Sequence, residues 1–405
     1  MALQDILDRQ ANSIEYVLHT HGIMARVDGG RLSPRLTHFH IVLPPGVRPT
    51  QVSPLVPEIS EELGVATSRL APEPAGNGVF LEVPRPDPIP VRLLSLVQRV
   101  AEVVPPVAAT LGLDTEGTPL LLRLNAPDVD PVLVSGSRGA GKSRLLRGMT
   151  LSLSLHNSPE RVRLLLLDAT GDGVAFKGME SLPHLACPIA YGPLDGLASL
   201  RWAVRALARR ESASHSAHSD ELFFEDEDES PASQADPEGY GPALVIMIDG
   251  AERLLSTANL RANAEAADAL NRLLAAGNRR DVHMVISSEH PDLGLEADWG
   301  ARITGTTLSA EIARMATGMK GSGAQGLLGS GDFLISLNAE LLRFQAGGVS
   351  SAEVDKASSL INSWANAPRS QEASPPQDLP TIQPRRERPA SAEEPVPLRR
   401  SWVGE

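Results

Sequence analysis

Residues Pro131 to Leu146 read PVLVSGSRGAGKSRLL, in which a short extended apolar run enters a glycine loop and leaves it as a helix. Gly136, four residues, Gly141, Lys142 and Ser143 have the spacing of a phosphate-binding P-loop. The chemistry accounts for the spacing. With small residues at Gly136, Ser137, Gly139, Ala140 and Gly141, and Arg138 among them, successive backbone N–H groups can converge on phosphate oxygens. Lys142 is placed to reach the β and γ phosphates and Ser143 to ligate Mg²⁺, so the expected cofactors are ATP and Mg²⁺. The helix from Arg144 to about Leu155 adds the positive end of its dipole. A strand, this loop and a helix in sequence leave few fold classes open beyond α/β.

The chain has 405 residues, enough for two or three domains. Aromatic residues are only 3%, so the core must be built from Leu, Val, Ile and Ala, which suits a parallel sheet. A single cysteine, Cys187, excludes an intrachain disulfide and reads as a small hydrophobe in a reducing compartment. No apolar run is long enough to span a bilayer, and the first twenty residues are too polar for a signal peptide; a cytoplasmic protein is expected. A net charge of −13 argues against coating nucleic acid with the general surface, though not against a basic channel on an acidic body. Much of the excess lies in Asp220 to Glu229, DELFFEDEDE.

In chain order, residues 1 to about 22 have helical periodicity. LTHFHIVLPPGV and GVFLEVPRP read as strands, with a helical segment from Val52 to Leu63 between them. Another helix spans Pro90 to about Val103. LGLDTEGTPLLLRL then reads as a turn at Asp114 to Thr118 and a strand leading to the P-loop. VRLLLLD ending at Asp168, ALVIMID ending at Asp249 and VHMVISS read as buried strands. They alternate with LASLRWAVRALARR and Glu265 to Leu274 as helices. ARITGTTL and DFLISL are expected near the sheet edge. The predicted organisation is a small α+β domain over 1–105, a P-loop ATPase domain over 106–350 with an acidic disordered loop at 212–241, a terminal helix at 351–367, and a disordered tail at 368–405.

A P-loop ATPase needs a strand-ending carboxylate to orient Mg²⁺. Asp249 and Asp168 compete; Asp249 is preferred because the strand paired with the P-loop strand usually comes later in the chain. Hydrolysis also needs a group to orient water. The residue after Asp249 is Gly250, which has no side chain. Glu252 and Glu289 remain as candidates, although on residue type alone each reads more readily as a solvated carboxylate.

With these pieces placed, the chain resembles the FtsK/SpoIIIE family of double-stranded DNA translocases over about residues 1 to 350. SPRLTHFHIVLPPGVRPTQV with GVFLEVPRP is similar to the small domain before the motor. LGLDTEGTPLLLRL is similar to the strand that leads into it. SLPHLACPIAYGPLDGLASLRWAVRALARR carries the family's Pro-His-Leu turn and its helix centred on Trp202. Glu289-His290-Pro291 stands at the family's Gln-Arg-Pro triplet. GAQGLLGSGDFLI matches the closing Leu-Leu-Gly-x-Gly-Asp motif. The resemblance implies a RecA-like P-loop NTPase motor domain, assembled as a homo-oligomeric, hexameric ring around duplex DNA, with ATP between subunits. Arg314 stands near the position of an arginine that completes a neighbour's site, with Arg302 a second candidate.

The departures are specific. Where the family has Asp-Glu this chain has Asp249-Gly250, and Asp-Pro-Lys has become Asp168-Ala169-Thr170. The family's membrane-spanning region and DNA-reading winged helix have no counterpart in the sequence. Two readings follow: an ATP-driven translocase of double-stranded DNA without base readout, or a hydrolysis-deficient nucleotide-binding subunit of a ring. DNA contacts would fall to arginines such as Arg201, Arg205, Arg209, Arg210, Arg279 and Arg280, because lysine is scarce.

Overall fold

The computed structural model describes residues 3–65, 68–72, 78–220, 241–276, 280–365 and 401–403. The first body starts with helix α1 (Leu3–Thr20), whose apolar stripe of Leu7, Ile14 and Leu18 is buried. Strands β1 (Arg26–Leu32) and β2 (Leu36–Val42) form a hairpin. Helices α2 (Pro49–Val52) and α3 (Val56–Glu62) follow, then β3 (Arg69–Pro72) and β4 (Gly78–Pro84). In β2 and β4 apolar residues alternate, so Phe39, Ile41, Val79, Leu81 and Val83 share one sheet face and pack on α1.

The second body opens with α4 (Leu93–Val100) and the hairpin β5 (Ala108–Asp114) and β6 (Pro119–Arg123). The P-loop joins β7 (Val132–Ser135) to α5 (Lys142–His156). Next come β8 (Val162–Asp168), β9 (Ala190–Tyr191), α6 (Pro193–Asp220), β10 (Ala243–Asp249), α7 (Ala251–Leu255), α8 (Leu260–Ala276) and β11 (Val282–Ser288). The remaining elements are β12 (Ala301–Thr304), α9 (Ala310–Thr317), β13 (Asp332–Leu337), β14 (Glu340–Ala346), α10 (Ser351–Ala365) and β15 (Ser401–Val403).

Ten of these strands make one sheet in the order β6-β5-β14-β13-β12-β7-β11-β10-β8-β9. Its half from β12 to β9 is parallel, and the rest is antiparallel. The parallel strands are buried on both faces, which is why they read as unbroken apolar runs. Leu164, Leu166, Val245 and Met247 face α5, packing on Leu146, Met149 and Leu153. Leu165, Leu167, Ile246 and Ile248 face the other way, onto Leu200 and Leu207 of α6 and Leu270 and Leu273 of α8.

Several expectations need correction. The strands of ARIT and DFLISL are internal: β12 lies directly beside the P-loop strand, because the antiparallel hairpin β13–β14 and strands β5 and β6 extend the sheet beyond it. The expected boundary at 105 places helix α4 in the small domain. Leu93 and Val97 instead pack with Leu151 of α5 and Val354 of α10, so α4 belongs to the motor body. Helix α6 continues to Asp220, so 212–220, expected within the acidic loop, is helical. Residues 221–240 of that loop lie outside the described residues. Of the predicted tail, 401–403 forms β15, parallel to β1 at the edge of the small sheet. The tail's other residues are outside the description.

Candidate functional site: a phosphate cleft at the carboxyl ends of the parallel strands

The P-loop crosses the carboxyl end of β7, and α5 starts at Lys142 immediately behind it. Gly141 has φ +105°, a left-handed conformation that glycine adopts without strain, and a Cβ there would lie 2.8 Å from the Gly331 amide nitrogen. The loop is therefore pressed against the turn before β13, where the Ser330 amide donates to Gly139 O (3.1 Å) and the Gly331 amide to Ala140 O (2.8 Å). In front of the loop opens a cleft of about 460 Å³, of the size that holds a nucleotide. Gly139, Gly141, Lys142, Ser143, Asp249, Glu252 and Glu289 all line it, so the principal predicted residues meet in one place.

Lys142 Nζ donates to Gly136 O (2.7 Å) and Ser137 O (3.3 Å). Burial holds its pKa below the usual lysine value, opposed by the negative charges of Glu289, Glu252 and Asp249. The ammonium thus sits among three carboxylates in a partly dry cleft, poised for a polyanion.

The two competing aspartates have different tasks. Both oxygens of Asp168 are taken: Oδ1 accepts from Thr170 Oγ1 (2.6 Å) and the Gly171 amide (2.9 Å), and Oδ2 from the Gly173 amide (2.7 Å). It shapes its own loop. Asp249 Oδ1 accepts from Ser287 Oγ (2.5 Å), but Oδ2 is buried and has no hydrogen-bond partner. Burial raises the Asp249 pKa, against the Ser143 and Ser287 hydroxyls, which favour its charged form. A buried carboxylate with one oxygen lacking a hydrogen-bond partner, together with the Ser143 hydroxyl beside it, is a fitting donor set for a hard divalent cation such as Mg²⁺. The Asp249 strand, expected to pair with the P-loop strand, does not touch it. The P-loop strand β7 pairs with β12 and with β11, which carries Ser287 and lies between β7 and β10. That serine bridges the gap, accepting from the Gly250 amide (3.0 Å) while donating to Asp249.

Glu252 lies in the first turn of α7, and its Oε2 is buried without a partner. Glu289 is exposed at the cleft mouth, just beyond β11. Arg314 is exposed on α9, and Arg302 donates to Met315 O (3.3 Å); neither lines the cleft of its own chain. Ser287, Thr170, Ser330 and the rim arginines Arg144 and Arg253 also line the cleft, and the sequence reading assigned none of them. Only Ser330, inside the closing glycine motif, carried a usable signal.

Of the arginines considered for DNA, Arg201 is paired with Glu265 (2.5 Å). Arg210 is committed to the carbonyls of Arg280, Asp281 and Pro242. Arg205 and Arg209 are exposed on α6, while Arg279 is outside the described residues.

A P-loop on the central strand, an open carboxylate two strands away and helices on both faces define a RecA-like P-loop NTPase motor domain, here preceded by a small α+β domain. Comparison with known proteins narrows the class. A model described as the FtsK/SpoIIIE family matches residues 98–293, and one described as the FtsK alpha domain matches residues 2–85. The chain belongs to the FtsK/SpoIIIE family. It is 29% identical to the DNA translocase FtsK of Leptospira interrogans over 367 residues, 86% of this chain and 37% of that protein. It is also 29% identical to the DNA translocase FtsK of Mycobacterium tuberculosis over 363 residues, 85% of this chain and 42% of that protein. The chain thus spans less than half the length of these relatives.

Two solved structures share the fold. The cytoplasmic domain of the Thermomonospora curvata type VII secretion ATPase EccC aligns with a TM-score of 0.52 at 24% identity, covering 67% of this chain and 34% of that one. The pCW3 conjugation coupling protein TcpA, in a monomer form with ATPγS, aligns with a TM-score of 0.55 at 14% identity, covering 87% and 99%.

Proposed function

We propose that the chain is an ATP-hydrolysing motor that moves double-stranded DNA through a ring of its own copies, without reading bases. The observation that carries this reading is the buried Asp249 carboxylate, whose Oδ2 has no hydrogen-bond partner, with Ser143 and Lys142 beside it and a second unpaired carboxylate oxygen, on Glu252, in the same cleft. Burying carboxylate oxygens without partners costs stability, and a nucleotide-metal site is a physical reason to retain them. Magnesium held by Ser143 and Asp249 would neutralise charge on the β and γ phosphates. The P-loop amides and the Lys142 ammonium bind the phosphates. Ser287 fixes the Asp249 carboxylate through its other oxygen.

Glu252 takes the water-orienting role that position 250 cannot fill. Its recessed oxygen lies in the cleft with nothing else to bond, whereas Glu289 is exposed at the mouth. Arg314, with Arg302 behind it, is assigned to the neighbouring copy's site in a hexameric ring. Exposed Arg205 and Arg209 are the remaining candidates on α6 for phosphate contacts to DNA. Among the described residues no helix is long and apolar enough to cross a membrane.

Gly250 favours a second reading, in which the chain binds ATP to set the assembly of a ring and hydrolyses it slowly or not at all. Steady-state ATP turnover with and without duplex DNA separates the two. A motor shows turnover that rises with DNA and disappears in Lys142→Ala. Tight ATP binding with no turnover under either condition assigns the chain to the second reading.

A further inference from the structure

Arg35 lies in the turn between β1 and β2, far from the P-loop in sequence. Its Nη1 donates to Gly329 O (2.8 Å), to Ser330 O (3.2 Å) and to the Gln345 side-chain oxygen (3.3 Å). Gln345 Nε2 donates to the same Ser330 carbonyl (3.3 Å). The turn that Arg35 grips is unusual in its backbone. Gly329, Ser330 and Gly331 have φ of +70°, +51° and +94°, and Ser330, which has a Cβ, holds a left-handed conformation that disfavours it.

On its other side the same turn braces the phosphate loop. The amides of Ser330 and Gly331 donate to the carbonyls of Gly139 and Ala140, and Ser330 itself lines the nucleotide cleft. Those two carbonyls must point away from the phosphates if the loop's amides are to point toward them. The small domain's grip on the turn is firm for an independent reason. Arg343 of β14 is buried and holds Asp332, the last residue of the glycine motif, through Nε (2.9 Å) and Nη2 (2.7 Å), and reaches Glu82 of β4 with Nη1. The contact is thus anchored by a buried ionic bridge beside the turn, so Arg35 pulls against a fixed support.

We infer that Arg35 is a positioning residue for nucleotide: acting from the small domain through the strained Ser330 turn, it fixes the Gly139 and Ala140 carbonyls and so sets the affinity of the phosphate loop. This rests on the reading of the cleft as a nucleotide site. It also gives the small domain a direct mechanical input to that site.

The test is the affinity of the full chain for ATP and ADP, measured well below the melting temperature, in wild type, Arg35→Met, Arg35→Lys and Arg69→Met. Arg69 donates to Ser322 O (2.8 Å) and lies 3.8 Å from Glu82 across the same boundary, so it shares the buried bridge, but it makes no hydrogen bond to Gly329, Ser330 or the P-loop and reports on domain docking without Arg35's hold on the turn. Arg35→Met is expected to weaken both nucleotides about tenfold, the scale of one charge-assisted hydrogen bond, and Arg35→Lys to recover part of it. Hydrogen exchange at residues 138–143 should quicken in Arg35→Met, while Arg69→Met binds as wild type. Wild-type affinity in Arg35→Met, or an equal loss in Arg69→Met, overturns the inference. Failure of wild type itself to bind ATP overturns the nucleotide reading instead, so the two failures are distinct.

Discussion

A Cβ placed on Gly250 would lie 2.5 Å from the Thr170 methyl carbon, so the residue after Asp249 is glycine for a structural reason. Gly250 also has φ +71°, where an L-residue is strained by about 1–2 kcal/mol. Thr170 cannot simply swing aside, because its hydroxyl donates to Asp168 (2.6 Å). Positions 170 and 250, the two departures from the family pattern, are therefore in steric contact, so a side chain at one constrains the other.

It follows that Gly250→Glu alone should lower the melting temperature and leave turnover no higher than wild type. Thr170→Ser removes the methyl and keeps the hydroxyl bond. The double variant Gly250→Glu, Thr170→Ser should recover much of the lost melting temperature, which thermal denaturation of all four proteins measures. Equal losses in the single and double variants would remove the proposed coupling.

Glu252 and Glu289 are separated by burial. Glu252→Gln should reduce DNA-stimulated turnover about a hundredfold and change ATP affinity little, as expected for a group acting on the water. Glu289→Gln, at the exposed mouth, should cost less than about tenfold. Turnover assays beside equilibrium ATP binding distinguish them, and the reverse order would transfer the role to Glu289.

Asp249 presents a trade between stability and binding. Its pKa is raised by burial, so the folded state disfavours the charged form. That penalty is absent below the unfolded pKa of 3.8, grows as pH rises toward the higher folded value, and is complete above it. At neutral pH Asp249→Asn should raise the melting temperature of the nucleotide-free protein while weakening Mg²⁺-dependent ATP binding. Wild-type Mg²⁺-dependent binding should also fall as pH drops through the raised pKa. A destabilised Asn variant with intact binding would contradict both parts.

At the other end of the sheet, His283 is buried between two carboxylates. Its Nε2 is 2.9 Å from Asp281 Oδ1 and its Nδ1 is 3.5 Å from Asp130 Oδ2. Burial pulls its pKa down, but Asp130 and Asp281 outweigh this and raise it to about 9 from 6.5. A raised histidine pKa contributes stability that is fully present below pH 6.5 and is lost as pH climbs to about 9. Denaturant titrations from pH 6 to 9.5 should show that decline, and His283→Gln should flatten it.

Local pattern made much of this architecture legible. The P-loop and the strands ending at Asp168, Asp249 and Ser288 announce themselves because each is short, apolar and bounded by turn residues. Strand β14 and helix α9 went unread: ELLRFQA alternates weakly, and AEIARMAT is only two turns long. Sheet order was the larger loss. Nothing local in VHMVISS states that it inserts beside the P-loop strand, so Ser287's hold on Asp249 was hidden. The bracing by Arg35 was hidden for the same reason, since its partners lie nearly 300 positions away. Asp168 and Asp249 look alike in sequence and are both buried; what separates them is that loop hydrogen bonds occupy both Asp168 oxygens, while Asp249 Oδ2 has no partner.

The central claim is that Lys142, Ser143 and Asp249 form one triphosphate site, and calorimetric titration with ATP and Mg²⁺ tests it most directly. Saturable one-site binding is predicted for the wild type, weakened about a hundredfold in Lys142→Ala through loss of a charge-assisted contact. No heat of binding from the wild type at millimolar ATP, or equal affinity in Lys142→Ala, would contradict it.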